Sequence, residues 1–447
     1  MWRRLTGLFV CSGALWFLIV PGVRVIVGLC DAGSRSGEIP AIAWSLHRTM
    51  TPRHEAWSQT WLASARGEKL SVDDISGTEW PLFGCCFYLW ATESLHDQHL
   101  RAGRADPLGY SRAAVDAATN LVLDPRSAAW VRQHWGERYL SQQDVFYRML
   151  VMAAIISQHR LTGETAHLAV LREQVEGLAN ELDAAPSGLL ADYPGQCFPC
   201  DVIAALAAIK RADPILNTDH SAFLQRALRG FAGSNVLPPG LPPYSSDALT
   251  GRPHDASRGC SNSGFIMQSP AVWPEQSRAW YATYAGSFWQ DDWLAAGFRE
   301  FPRGTGAEWY FDVDAGPVVH GLGFAASAFG LAAARTHADY ERVYPLTAMT
   351  LAFSVPLANN TLLLPRLLSN ATDAPLLGEA GVLYCLTRTP FENTPTTAPS
   401  LWKLPLVVWI ILVVELGVGG LLARTGWRMF RTAGIARAAG RRVGEIG

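Results

Sequence analysis

The chain has 447 residues, 49% of them hydrophobic, with 37 basic and 39 acidic side chains for a net charge of −2. The charge is uneven: residues 1–30 carry three arginines and no acid, residues 403–447 carry seven bases against two acids, and residues 31–402 hold a net −10. An acidic middle between basic ends is not the footprint of a nucleic-acid binder. It fits a soluble domain tethered by basic, membrane-facing flanks.

Leu5 to Val23 is free of charge and follows Trp2-Arg3-Arg4. About 20 residues at ~1.5 Å each cross a hydrocarbon core of about 30 Å, so residues 1–30 read as a transmembrane anchor. A cleaved signal peptide is the competing reading, but no small-x-small site follows the run, and Leu29 fits poorly before Cys30 as a lipoprotein signal.

Residues 31–400 read as one helical domain. Val145–Leu161 is apolar at helical spacing and stops at Gly163; His167–Leu182 is amphipathic; Asp201–Arg211 has an acidic start and a basic end, which suits the helix dipole. Ser221–Gly230, Pro274–Trp293, Gly323–Arg335 and Tyr340–Phe353 continue the series, and no alternation marks a strand. The uncharged stretch Gly316–Ala334 reads as a buried inner helix rather than a third span. A domain of this length holds about a dozen helices. Several are apolar all round and rich in small residues, as helices buried on every side are. An inner ring of helices inside an outer one accounts for this, and so does a layered bundle.

Leu404 to Ala423 is a second apolar run, broken by Glu415 and bracketed by Trp402 and Trp427 as interfacial aromatics bracket a span. An ionised carboxylate at mid-span costs a few kcal/mol, so Glu415 is expected to be protonated or partnered. The expected division is an anchor over 1–30, a domain over 31–400, a second span over 401–425 and a basic cytoplasmic tail over 426–447. Arginines on both outer flanks put the two termini in the cytoplasm. The domain then lies on the periplasmic or extracellular side of a bacterial inner membrane.

Four segments that read as loops gather polar and aromatic residues: Glu79–Gly84, Asp192–Asp201, Ser257–Asn262, and Arg299–Gly304 followed by Asp312–Pro317. Paired carboxylates at one mouth serve as general acid and base. Each acid also has a structural reading. Asp201 caps its helix, Asp312 and Asp314 cap the next helix or hold a cation, and Arg299–Glu300 is an ion pair. Cys197-x-x-Cys200 lacks the βαβ context of a redox motif and a second pair for zinc. It remains either a disulfide, permitted outside the cytoplasm, or a free thiol. Cys85-Cys86 reads as core. No P-loop, G-x-S-x-G or H-E-x-x-H motif occurs.

From Tyr147 to Arg335 the chain resembles the linalool dehydratase/isomerase family. The resemblance rests on Tyr147, on Gly188-Leu-Leu-Ala-Asp192, on Cys200 with the small-residue helix after it, on Arg299-Glu300, and on Asp312-x-Asp314-x-Gly316 with Gly321, Ala326, Phe329, Ala334 and Arg335. It implies an all-α fold of the (α/α)6 toroid type and a cofactor-independent hydration, dehydration or isomerisation of a terpene alcohol. By position Cys200 matches the family's second pocket cysteine and Asp192 the acid beside the first. The first cysteine falls on Ala191 and the pocket histidine on Leu150, departures that weigh against linalool as substrate.

The leading reading is a membrane-anchored lyase or isomerase acting on an apolar or amphiphilic alcohol. Asp192, Cys200, Glu300 and Asp314 would be its catalytic groups, and Trp80, Tyr147, Tyr193 and Asp201 would contact substrate. An envelope glycan hydrolase or lyase and a non-catalytic membrane scaffold built on Glu415, Gly417, Gly419 and Gly420 are the alternatives. No metal, cofactor or nucleic-acid partner is expected; the membrane is, and homo-oligomerisation stays open.

Overall fold

A computed structural model describes residues 2–231, 236–370, 372–392, 399–400 and 403–444, with side chains as far as residue 432. Trp402, Glu445 and the side chains of Arg437, Arg441 and Arg442 lie outside the described residues. The protein is all-α: helix accounts for 66% and strand for 6%.

Among the described residues, with the short helices Ile75–Thr78, Ala129–Trp135 and Leu363–Asn370 between them, twelve helices alternate along the domain. They are α1 (Ala41–Ser64), α2 (Trp80–Gln98), α3 (Leu108–Leu123), α4 (Val145–Thr162), α5 (Leu168–Ala184), α6 (Pro199–Leu216), α7 (Ser221–Ala227), α8 (Gly259–Gln268), α9 (Pro274–Phe288), α10 (Phe324–Thr336), α11 (Tyr340–Ser354) and α12 (Leu377–Thr387). Each even-numbered helix packs on the next even one, α2 on α4, α4 on α6, α6 on α8, α8 on α10, α10 on α12, and α12 returns to α2. The odd helices pack outside them; α3, for example, touches α1, α2 and α4. The sequence accounts for this sorting. Along α4 almost every side chain from Val145 to Gln158 is buried, whereas α5 buries a single stripe of Leu171, Gln174, Val175, Leu178, Ala179 and Leu182.

The even helices run parallel. Toward their N-terminal ends a Cβ on Gly84 of α2 would lie 3.8 Å from Leu377 of α12, and one on Gly259 of α8 2.9 Å from Ala326 in the first turn of α10. At their C-terminal ends the buried Glu93 of α2 takes Arg160 of α4 at 2.7 Å, Arg211 of α6 at 2.6 Å and the hydroxyl of Ser157. On the same side Gln268 of α8 donates to Tyr384 of α12 at 3.2 Å. Six N-termini therefore share one rim and six C-termini the other.

The expected elements are corrected in places. Segments 79–84 and 257–262 are not loops; they open α2 and α8. The helix expected over Pro274–Trp293 ends at Phe288, and the chain turns into a hairpin, β1 (Trp289–Asp291) with β2 (Ala296–Phe298). The Asp292 carboxylate fixes that turn by accepting from the Leu294 and Ala295 N–H groups, each at 2.9 Å. The stretch from Gly316 is helical only from Phe324. Before it, β3 (Trp309–Asp312), β4 (Gly316–Val319) and β5 (Leu322–Gly323) form an antiparallel sheet. Gly316 (φ 62°) and Gly321 (φ 77°) take the left-handed turns that break the helix.

Two helices are long and apolar enough to cross a membrane, Trp2–Cys30 and Leu406–Thr432, and each contains one π-helical turn, Leu15–Ile19 and Val414–Val418. They pack antiparallel. A Cβ on Gly7 would meet the Gly426 carbonyl at 2.5 Å, one on Gly426 the Gly7 carbonyl at 2.6 Å, and one on Gly419 the side chain of Ile19 at 2.9 Å. Of the glycines in the scaffold reading, Gly419 is thus occupied within the chain, against the other span. Glu415 is buried between the spans.

Candidate functional site

Acids collect where the even helices begin. Asp144 caps α4, its carboxylate accepting from the Tyr147 N–H at 3.4 Å; Asp201 stands in the first turn of α6, and Glu79 directly precedes α2. Burial pushes Glu79 well above the usual carboxylate range, and the charges of Asp201, Asp314 and Asp144 add to it. Burial likewise raises Asp144 to about 8. Its Oδ2 has no hydrogen-bond partner among the described residues, as suits a protonated acid. Burial and Asp314 raise Asp201 to about 7.

Asp192 is buried beneath this group. Its Oδ2 accepts from the Phe198 N–H at 2.7 Å, which ties the 192–198 turn to the start of α6. Burial and then Asp201 push it well above the carboxylate range. Its Oδ1 is buried and has no hydrogen-bond partner among the described residues.

A second cluster stands beside α8. Arg258 Nε lies 2.9 Å from Glu300 Oε1 and the same guanidinium pairs with Asp312. Its carbon sits 4.4 Å from the Tyr244 ring centre, 5.4 Å from Tyr310 and 5.6 Å from Phe301, an aromatic cage for the cation. The fully buried Glu300 accepts from the Cys260 thiol at 3.1 Å and the Cys260 N–H at 3.2 Å. Burial raises Glu300 to about 7, against the pull of Arg258. Burial also works to raise Asp312, but Arg258, the Ala315 N–H and the Tyr310 hydroxyl hold it below the usual range. The Tyr244 hydroxyl donates to Asp314, and the Tyr244 ring meets Phe198 edge-on at 5.2 Å, joining the two clusters.

Cys200 is half-buried beside Asp201; burial and the charges of Asp201 and Asp192 push its thiol well up. Helix dipoles alone would lower it, but desolvation beside two carboxyls outweighs them, so Cys200 is a neutral thiol and not a thiolate base. Cys197 and Cys200 are both free, which sets aside the disulfide.

Of the residues singled out from the sequence, the structure brings together Asp192, Cys200, Asp201 and Asp314, and sets Glu300 beside them through Cys260 and Arg258. Trp80 is half-buried as the first residue of α2. Tyr193 is half-buried against His134 and Trp130. Tyr147 is a correction: its hydroxyl donates to the Val122 carbonyl at 2.8 Å and it is fully buried, a strut between the first turn of α4 and α3. Arg299 and Glu300 are not each other's partners; Arg299 pairs with Glu308 at 2.7 Å. Asp312 and Asp314 cap no helix, since a sheet follows them.

Sequence reasoning placed Glu79, Arg258 and Cys260 inside candidate segments without giving them roles, and it passed over Tyr244 and Asp144. An acid immediately before an apolar helical run was the available signal for Asp144. Tyr244 carried none.

No family profile and no curated protein matches the chain.

Proposed function

We propose that the twelve helices form an (α/α)6 toroid held at the membrane by its two spans, and that the rim of even-helix N-termini is the active site of a cofactor-independent lyase or isomerase acting on an apolar or amphiphilic alcohol. The closed succession of even-helix contacts supports the toroid. The observation that carries the chemistry is the set of carboxyls held near or above neutrality by burial, Asp201 at about 7 above all, beside the exposed Asp314. A half-buried acid that still holds a proton at neutral pH is suited to protonating a leaving hydroxyl.

In this reading the Asp201 carboxyl gives its proton to the substrate hydroxyl, the C–O bond breaks with its electron pair going to oxygen, and water departs. Asp314, oriented by the Tyr244 hydroxyl, accepts a proton from the adjacent carbon, whose C–H pair becomes the new double bond. Return of that proton to Asp201 restores both groups. Asp192 and Glu300 are positioning residues, the first for the α6 start and the second for Arg258. Cys200 contributes a neutral thiol beside Asp201. The resemblance to linalool dehydratase/isomerase supports the same reaction class.

The test is turnover by the full chain in detergent with EDTA, using linalool and geraniol as probes and detecting the diene product. Dehydration that Asp201→Asn and Asp314→Asn each lower at least ~100-fold supports the reading; unchanged rates in both variants overturn it. The periplasmic or extracellular placement follows from the flanking arginines. Reporter fusions after residues 35, 250 and 447 should read outside, outside and inside, and an inside signal at 250 overturns it.

A further inference from the structure

The rim that carries the acids is also the rim from which the spans leave. Arg335, at the C-terminal end of α10, donates to the carbonyls of Gly33 at 3.0 Å and Glu38 at 2.6 Å, so residues 33–38 lie at the far rim. From there the chain, followed back toward its N-terminus, climbs along α11: Gly28 lies against Leu351, and Arg24 bonds Asn360 beyond the end of that helix. The other span starts at the same rim. The Leu406 and Val407 N–H groups donate to the carbonyls of Trp293 at 3.2 Å and Leu294 at 2.9 Å, in the β1–β2 turn.

Large apolar side chains stand exposed on this rim. The β3–β4 hairpin sorts its residues by alternation. Tyr310 and Asp312 face Arg258 in the site, while Trp309 and Phe311, each 72% exposed, point the other way. Trp293 in the β1–β2 turn is 77% exposed. Leu367 and Leu368, 57% and 53% exposed, lie on the short helix Leu363–Asn370, which packs against the start of α12. The far rim instead exposes charged side chains, Arg101, Arg104 and Glu164, with Leu100 a large apolar residue among them.

We infer that this rim is seated on the bilayer surface, with Trp293, Trp309, Phe311, Leu367 and Leu368 inserted at the interface, and that the site takes a membrane-partitioned amphiphile delivered from the leaflet beneath it. Tryptophan and leucine clusters beside a span are what a lipid interface stabilises and water does not. The continuity of the patch with both spans commits it to lipid rather than to a soluble partner. The seating stands on geometry alone; the delivery of substrate rests on the acid–base reading of the site.

The experiment uses the full chain in vesicles of phosphatidylethanolamine and phosphatidylglycerol, with the photo-crosslinking amino acid benzoylphenylalanine placed at position 311 or, as a far-rim control, at exposed position 100. Lipid adducts at 311 and not at 100 are expected; no lipid adducts at 311, or equal adducts at both, overturn the seating. The double variant W309S/F311S, altered on the hairpin face away from Arg258, should raise the apparent KM for geraniol partitioned into vesicles about tenfold and leave turnover in detergent unchanged. An unchanged KM in vesicles overturns the delivery route while leaving the chemistry in place. Lipid adducts at 311 without turnover of either alcohol in any medium overturn the chemistry and the delivery that rests on it, and uphold the seating.

Discussion

Arg258 reaches Glu300 at 2.9 Å across 42 positions of sequence, while Arg299, the residue beside Glu300, turns away to Glu308 at 2.7 Å. The buried carboxyl thus draws its counter-charge from the start of α8 rather than from its neighbour. That choice ties the β2–β3 connection to the start of α8 and sets the cationic side chain between Glu300 and Asp312.

Removing Arg258 leaves Glu300 buried without its cation. Losing one partner of a buried pair costs about 3–5 kcal/mol, so Arg258→Met should lower the melting temperature markedly. The double variant R258M/E300Q should recover much of the loss. Thermal unfolding of the three proteins in detergent checks this; equal melting temperatures for wild type and R258M contradict the pairing.

Glu93 provides the matching test at the far rim. It holds Arg160 at 2.7 Å and Arg211 at 2.6 Å, joining α2, α4 and α6. Glu93→Ala should destabilise by about 3–5 kcal/mol and leave the pH dependence of any turnover unmoved, because no mouth residue contacts it. A shifted pH profile with unchanged stability would reverse this assignment.

The pH dependence of stability carries a definite sign. Asp201 holds its proton up to about 7 in the folded protein, against an ordinary value of 3.8. Between those values the folded state binds a proton that the unfolded state has released, so this group's contribution falls as pH rises across the window and is constant above it. Asp201→Asn should therefore stabilise the protein more at pH 8 than at pH 4, by about 4 kcal/mol at most. Denaturation at the two pH values measures it; a gain that is larger at low pH refutes the assignment.

Cys197 and Cys200 are free, and burial with the adjacent carboxyls keeps the Cys200 thiol protonated. Iodoacetamide at neutral pH should label Cys200 slowly in the native protein, and both residues fully after unfolding without reductant. Labelling that requires reduction would restore the disulfide.

The two spans meet through glycine. Cys11 Sγ lies 3.1 Å from the Ala423 carbonyl, one turn from the Gly7–Gly426 contact. In an Ala423→Cys protein, mild oxidation should crosslink residues 11 and 423. Adding Gly426→Val, whose side chain has no room against the Gly7 backbone, should cut the yield several-fold. Equal yields would show that the spans do not pair there.

Much of the scaffold is legible in the residues. The two apolar runs mark the long terminal helices, and the all-round apolar α4, α6 and α10 mark buried helices, because periodicity and burial are properties of a segment. The acidic start and basic end of the 201–211 run place Asp201 at a helix N-terminus from sequence alone. What escapes lies where tertiary contact overrides local pattern. Trp309–Asp312 shows no apolar–polar alternation and is too short to stand out beside the small-residue run that follows it. Tyr147 reads as a pocket aromatic and is a strut, since only packing against α3 reveals where its hydroxyl goes. The local sequence determined which residues are apolar, which helices are buried and which acids begin them. The tertiary structure decided which acids meet, which thiols stay neutral and which cation answers Glu300. Those outcomes depend on desolvation and on charges brought together from distant segments, and neither is a property of any one segment.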